Sequence, residues 1–533
     1  MFKRKDTVMG PAKKQKGPAI IPPARQVRRG FKGRYGGAWG GVATPRMWME
    51  TNQDHAGMYP FIAGTNRPRR GAPIGYDLGT GSAVAMDHLS LFRARAITAP
   101  AAMMFGLNGF GKSSISALVA GAVNACGTPL AIFDPIKGEY TELAEAMGAD
   151  VFQLGPKNGR QKVNPMDPGP LAAAGAKIGG QAGQDMQADG IKNVVANVSA
   201  LLRINRGRDK PVSDSERTMV RLAVQEVMSK NARPGLGDLL AFFDQPSERA
   251  VYAAGLRSDE SEQFKETYRP LFQSISALVY GELSEIFDDK GLSINPGNPA
   301  GFCFDSSAIP SADDKMISAT MMSTWRLGMD AIDAHWELAQ HEARKAAEAA
   351  EAGEQYTPEV TWNGYSSLMD EFWFPVRMAD GMVHEVDRLS RTNRSVGVGE
   401  WKITHSPKDF EMIANEADRE IAKSLIERCG LWVMLAMTPA DMEALNRIRP
   451  IESTEKAWVT SFMSGSQGLE NYQDMKKTRR GLSDSSSQDA PPPGVGKALW
   501  KVGDSLGIPV KSPKPPTLGK LHQTSQRLET GQG

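Results

Sequence analysis

The stretch Gly106-Leu107-Asn108-Gly109-Phe110-Gly111-Lys112-Ser113-Ser114 has the spacing of a phosphate-binding loop, G-x-x-x-x-G-K-[ST]. Its glycines let the backbone wrap so that N–H groups face phosphate oxygens. A helix beginning near Lys112 would add its positive end at the same place. Lys112 would reach the β- and γ-phosphates of ATP, and the Ser113 hydroxyl would ligate Mg2+. Such a site also needs an acid at a strand end to hold Mg2+ through water, and a base to orient the attacking water. Two places offer these groups. Asp370-Glu371 ends the stretch Tyr365-Ser-Ser-Leu-Met369, and Asp134 ends the apolar stretch Leu130–Phe133, with Glu139 shortly after it. The first place supplies two adjacent acids that can divide the two roles. Asp370 is therefore expected to hold the Mg2+ water and Glu371 to polarise the attacking water. Asp134 and Glu139 are secondary candidates, because the same residues also suit a turn or a helix start.

Behind the acid pair come Arg377, Arg388, Arg391 and Arg394. An arginine facing a neighbouring subunit's γ-phosphate stabilises charge in the transition state, so Arg391 and Arg394 are candidate catalytic residues. The stretch Val396–Ile403 then ends at Thr404-His405, where a polar side chain at a strand end could sense the γ-phosphate. His405 is the candidate sensor and Thr404 a secondary one.

The elements that must position these residues are legible. Ala101–Phe105 reads as a short apolar strand. Ile115, Leu118, Val119 and Val123 recur at helical spacing, and Leu130–Phe133 reads as a second buried strand. Strand, loop, helix and strand in that order imply a parallel α/β unit. Residues 190–300 change to helical patterns, with Ser213-Asp-Ser-Glu216 a capping-box candidate. Strand patterns resume at Gly301–Phe304, Tyr365–Met369, Val396–Ile403 and Leu431–Met437. The expected fold class is a RecA-like α/β core with a mostly parallel sheet, an inserted helical subdomain and disordered tails. The expected division is a basic disordered arm at 1–45, a small β-rich segment at 46–98, and core at 99–190. A helical insertion at 191–300, further core at 301–475 and a disordered tail at 476–533 follow. Within that tail Ala498–Leu506 reads as a short helix.

Composition narrows the function classes. The chain has 533 residues, 41% hydrophobic and 23% charged, which excludes collagen-like, wholly disordered and disulfide-scaffold classes. Its three cysteines, Cys126, Cys303 and Cys429, form no CxxC pair. A cysteine zinc site is therefore not expected, and a reducing compartment fits. The net charge of +2 hides eleven Lys or Arg within residues 1–34 against the single acid Asp6. Such an arm suits nucleic acid or anionic lipid. No apolar segment follows it, so no secretory signal is expected. The most apolar stretch, Ile115 to Phe133, contains Ser116, Asn124, Thr128 and Pro129, and reads as buried helix and strand rather than a membrane span. The expected location is cytoplasmic, with peripheral contact at the inner face of the membrane.

Taken together, the motifs resemble the FtsK/HerA superfamily of motor ATPases, and within it the conjugative-transfer ATPases of bacterial type IV secretion systems. The stretches that carry the resemblance are Arg70–Gly75, Gly106–Ser113, Asp134–Tyr140, Asn164–Asp167 and Tyr280–Phe287. Phe304–Ser307, Leu368–Glu371, Arg391–Arg394 and Thr404-His405 complete them, in the family's order, over about residues 60–470. The resemblance implies a hexameric ring with ATP sites between subunits and an arginine given in trans. It also implies conjugation or secretion channel proteins, and DNA, as partners. The chain departs from the family at His405, where Gln is common. Two further readings stand beside a transfer motor: a DNA-translocating coupling protein of the same superfamily, and a slow ATP-binding scaffold of the transfer assembly.

Overall fold

The computed structural model describes residues 67–463 and 494–513, apart from 135, 158, 208–209, 232, 311, 375–382, 385, 388–389, 391–396 and 414. Contacts divide the chain into two units, residues 1–66 with Gly79–Gly81, and all the rest. Every element named below belongs to the second.

Its frame is an 11-stranded sheet. The strands are β1 (Pro73–Asp77), β2 (Ala83–Ala85), β3 (Ala101–Phe105), β4 (Leu130–Asp134), β5 (Asp150–Gln153) and β6 (Gly301–Asp305). They continue with β7 (Tyr365–Met369), β8 (Val398–Thr404), β9 (Leu431–Met434), β10 (Lys497–Val502) and β11 (Ile508–Lys511). Their order is β2-β1-β11-β10-β9-β3-β8-β7-β4-β6-β5. From β9 to β5 every neighbouring pair is parallel. From β9 to β2 every pair is antiparallel. This is the expected α/β class with a mostly parallel sheet.

Among the parallel strands β3, β4, β6 and β9 are short, chiefly apolar runs because helices cover both faces. All five residues of β3, β4, β6 and β7 are buried. Alternate residues feed the two halves of the core. Met103 and Phe105 pack on one face, Ala102 and Met104 on the other. The helix Lys112–Ala125 returns the chain from β3 to β4 over the second face, through Ile115, Val119 and Val123.

Between β5 and β6 the described chain is helical, from Gly169–Ile178 through Gly180–Arg206, Asp214–Lys230 and Leu236–Asp244 to Arg269–Tyr280. The capping box at Ser213 is present: its hydroxyl accepts from the Glu216 N–H, and the Glu216 carboxylate accepts from the Ser213 N–H. The boundary expected at 190/191 falls inside the helix Gly180–Arg206. The chain breaks instead at Gly179-Gly180, both at positive φ.

The C-terminal expectation needs correction. Residues 497–511 are not a tail with a short helix at Ala498–Leu506 but the hairpin β10–β11, inserted between β9 and β1. Ala498 and Trp500 enter the core on one face and Leu499 on the other, so no two-residue alternation marks the strand. Lys501, the residue least like core, is buried against Glu455 of the helix Ser453–Phe462 at 3.0 Å.

Candidate functional site

The carboxyl ends of the parallel strands place the chemistry-bearing residues in one row. Phe105 and Thr404 are in register at the ends of β3 and β8. Phe133 pairs with Met369, and Asp134 with Asp305. Across the sheet edge the row therefore runs from the phosphate loop after β3, through Thr404-His405 and Asp370-Glu371, to Asp134 and Asp305. Ligands of open α/β sheets bind outside this edge.

The loop Gly106–Gly111 wraps between β3 and its helix with Gly109 at φ 83° and Gly111 at φ 98°, the left-handed region that favours glycine. Leu107, Asn108, Gly109 and Phe110 form the arc; Ser113 and Ser114 lie in the first helical turn. The Gly106 N–H donates to the His405 carbonyl and the Leu107 N–H to the Ala436 carbonyl, so strands on both sides brace the loop. Lys112 is buried, and its Nζ donates to the Gly106 carbonyl at 2.7 Å and approaches Asn108 Oδ1 at 3.2 Å. Burial holds its ammonium down to about 8.

Lys112 Nζ also lies 2.9 Å from His405 Nδ1. An ammonium only donates, so Nδ1 accepts and the ring proton sits on Nε2. That Nε2 is 3.0 Å from Glu371 Oε2. Lys112, His405 and Glu371 thus form one hydrogen-bonded chain. Glu371 carries further partners: Lys137 Nζ at 2.9 Å from Oε1, and the Trp373 indole N–H at 2.7 Å from Oε2. Burial raises its carboxyl, but His405 and Lys137 outweigh burial and hold it at about 2. Its backbone is at φ 45°, a strained conformation for a residue with a Cβ. The Glu371 N–H donates to Asp370 Oδ1 at 2.8 Å.

Asp370 lies in the opposite electrostatic situation. It is buried, and burial followed by the charges of Asp134 and Glu371 pushes it up to about 8. Asp134, also buried, rises to about 6, although the Lys137 and Glu139 N–H groups donate to it at 3.2 and 2.6 Å. Asp305 accepts from the Thr141 hydroxyl at 3.1 Å. Thr404 donates to Asp409 at 2.9 Å.

The oxygen-rich donor set, the Ser113 hydroxyl with Asp370 and Asp134, suits a hard cation such as Mg2+. Among the described residues no three of His, Cys, Asp and Glu converge to hold a metal by themselves.

Of the residues expected from sequence, the fold brings together Gly106–Ser114, Asp134, Glu139, Asp370, Glu371 and Thr404-His405. Arg377, Arg388, Arg391 and Arg394 lie outside the described residues. Sequence reading missed Lys137, Trp373 and Asp305. Lys137 sits inside Asp134–Tyr140, but nothing in the spacing reveals that it meets Glu371. Also missed was a contact from the C-terminal hairpin: the Gly496 N–H donates to the Phe110 carbonyl at 2.9 Å.

This architecture occurs among solved structures. VirB4 of Thermoanaerobacter pseudethanolicus matches at 16% identity and TM-score 0.55, covering 86% of this chain and 100% of that one. The chain has the VirB4 fold. The plasmid coupling protein TrwB in complex with ADP and Mg2+ is also similar, at 12% identity and TM-score 0.43 over 84% of this chain and 90% of that one. No family profile and no curated protein sequence matches the chain. Among the described residues no helix is long and apolar enough to cross a membrane.

Proposed function

We infer that the protein is an ATP-hydrolysing ring motor of conjugative transfer, acting on DNA or protein at a type IV secretion-like channel on the inner face of the membrane. The observation that carries this reading is the chain Lys112–His405–Glu371, which joins the phosphate loop to an acid at a strand end. The VirB4 fold and the ordered family motifs support the biological setting. The core at 99–190 and 301–475, with its helical insertion, is the catalytic unit of this reading.

Lys112 and the loop N–H groups would hold the β- and γ-phosphates, and Ser113 directly and Asp370 through water would hold Mg2+, which when bound would neutralise phosphate charge. Glu371, ionised and fixed by Lys137 and Trp373, orients the attacking water and accepts its proton. His405 reads the γ-phosphate. When that phosphate draws Lys112 away, the imidazole loses its Nδ1 partner and is free to turn, which loosens one contact on Glu371 Oε2 while Lys137 and Trp373 keep the carboxylate in place. Arg391 or Arg394 of an adjacent subunit supplies positive charge in the transition state. Ring assembly is thus part of the mechanism, and the basic arm contacts DNA or anionic lipid.

Steady-state ATP hydrolysis with and without single- and double-stranded DNA, with Lys112→Ala as blank, tests this. Hydrolysis above the blank that rises with DNA supports a motor acting on DNA. Hydrolysis indifferent to DNA supports a channel or protein-transfer ATPase. Hydrolysis no higher than the blank overturns the motor in favour of an ATP-binding scaffold.

A further inference from the structure

The C-terminal hairpin carries a feature that its own packing leaves unused. Lys497 opens β10, Lys511 closes β11, and the two stand directly opposite each other. Tyr76 of β1 stands opposite Lys511 on the other side. Directly opposed residues of antiparallel strands project to one face with Cβ atoms about 5 Å apart. Tyr76, Lys511 and Lys497 therefore form a row across three strands.

The row borders the phosphate loop. Gly496 is hydrogen-bonded to Phe110, and a Cβ on Gly111 would lie 3.4 Å from the Gly496 nitrogen. A Cβ on Gly496 would in turn lie 3.6 Å from Lys511 Nζ. Little more than the Gly496 backbone separates that ammonium from Gly111.

Two ammonium groups facing each other repel. Burial holds both below the ordinary lysine range, and the charge of Lys497 lowers Lys511 further. Among the described residues neither forms an ion pair. Lys511 donates to the Val495 carbonyl. The contrast within the same hairpin is Lys501, whose charge is matched by Glu455. Tyr76 is 56% exposed although its strand lies inside the sheet. An exposed ring and two unneutralised ammonium groups beside a phosphate loop form a set that recognises a base, a ribose and an anionic oxygen.

The geometry points to Tyr76, Lys497 and Lys511 as the nucleoside half of the nucleotide site, with the lysines on the α-phosphate and ribose and the tyrosine ring on the base. This rests on the nucleotide-binding reading of Gly106–Ser114. A bound nucleotide would neutralise the lysine pair and tie β1, β10 and β11 to the loop.

The experiment is calorimetric titration of the full chain with Mg2+ and either ADP or inorganic tripolyphosphate, which fills a phosphate loop without a nucleoside. Tyr76→Ala is expected to weaken ADP binding about tenfold, the scale of one base–aromatic stack, and to leave tripolyphosphate unchanged. The double variant Lys497→Gln/Lys511→Gln is expected to weaken ADP at least about tenfold, while raising the Tm of the nucleotide-free protein by relieving repulsion. The rise in Tm separates this role from a structural one, which would lower it. Unchanged ADP affinity in both variants overturns the proposal. So does an equal loss of tripolyphosphate in Tyr76→Ala, a lower Tm in the double variant, or a loss confined to single-stranded DNA binding. If the wild type binds ADP no better than Lys112→Ala, the phosphate-loop reading itself fails as well.

Discussion

Asp370 and Glu371 are sequence neighbours with opposite proton affinities, and their partners explain why. Glu371 faces His405 and Lys137, so its carboxylate is compensated. Asp370 faces Asp134, and burial outweighs the help it receives from Lys137. Two carboxyls pushed apart in this way can take different tasks at one pH. The uncompensated one carries a stability consequence. Its folded value of about 8 lies above its unfolded value of 3.8. Its contribution to stability is therefore fully present below the unfolded value and is lost as pH rises through the folded one. Without nucleotide or Mg2+, ionising Asp370 weakens the fold between those limits. Asp370→Asn removes the penalty. In chelator-treated, nucleotide-free protein it is expected to raise Tm at pH 8 by about 2–5 °C and to give no gain at pH 4. An equal gain at both pH values would show that the carboxyl is not held protonated.

At the scale of elements, the hairpin β10–β11 completes the sheet and touches the phosphate loop. It is fastened by Lys501, whose Nζ lies 3.0 Å from each Glu455 oxygen, and by the Gly507 N–H, which donates to Glu455 Oε1 at 2.7 Å. Removing one partner of a buried pair strands the other charge. Lys501→Met is expected to lower unfolding free energy by about 3–5 kcal/mol, read by urea denaturation at pH 7. A loss below about 1 kcal/mol would mean that backbone donors alone satisfy Glu455. This hairpin is also where sequence reading failed, and the reason is physical. β3, and β4 and β6 up to their closing aspartates, are unbroken apolar runs because helices cover both their faces, so they stand out. β10 is buried on both faces too, yet it carries lysines at 497 and 501, and it follows a stretch rich in proline, serine and lysine. Only the distant Glu455 makes a buried Lys501 tolerable, and no local pattern announces that partner. The candidate site divides the same way. Gly106–Ser113 and Asp134 are legible because each sits at the end of an apolar strand, and Asp370-Glu371 because two acids stand together behind Leu368-Met369. Lys137 and Trp373 become site residues only through the fold, which aims both at one carboxylate.

At the scale of the whole molecule, the described chain contains the loop, the acid pair and the proposed sensor His405, but the proposed mechanism draws its arginine from another copy. That requirement has a consequence that independent subunits would not show. Glu371→Gln keeps the size of the side chain, leaves one acceptor oxygen for donors that now use two, and removes the carboxylate that the proposed mechanism uses to accept a proton. General-base loss of this kind lowers hydrolysis about 10²–10⁴-fold. The variant still presents Lys112 and its loop, so it binds ATP and holds it. In a ring whose subunits step together, one stalled site blocks its neighbours. Doping wild-type protein with Glu371→Gln at fixed total concentration is then expected to depress hydrolysis more steeply than the mutant fraction. With half the subunits mutated, activity should fall well below half. A straight line against mutant fraction would mean that each subunit hydrolyses alone. Lys112→Ala provides the contrast, because it leaves its site empty and does not trap ATP. If doping with Lys112→Ala inhibits less steeply than doping with Glu371→Gln, the block comes from trapped nucleotide rather than from faulty assembly.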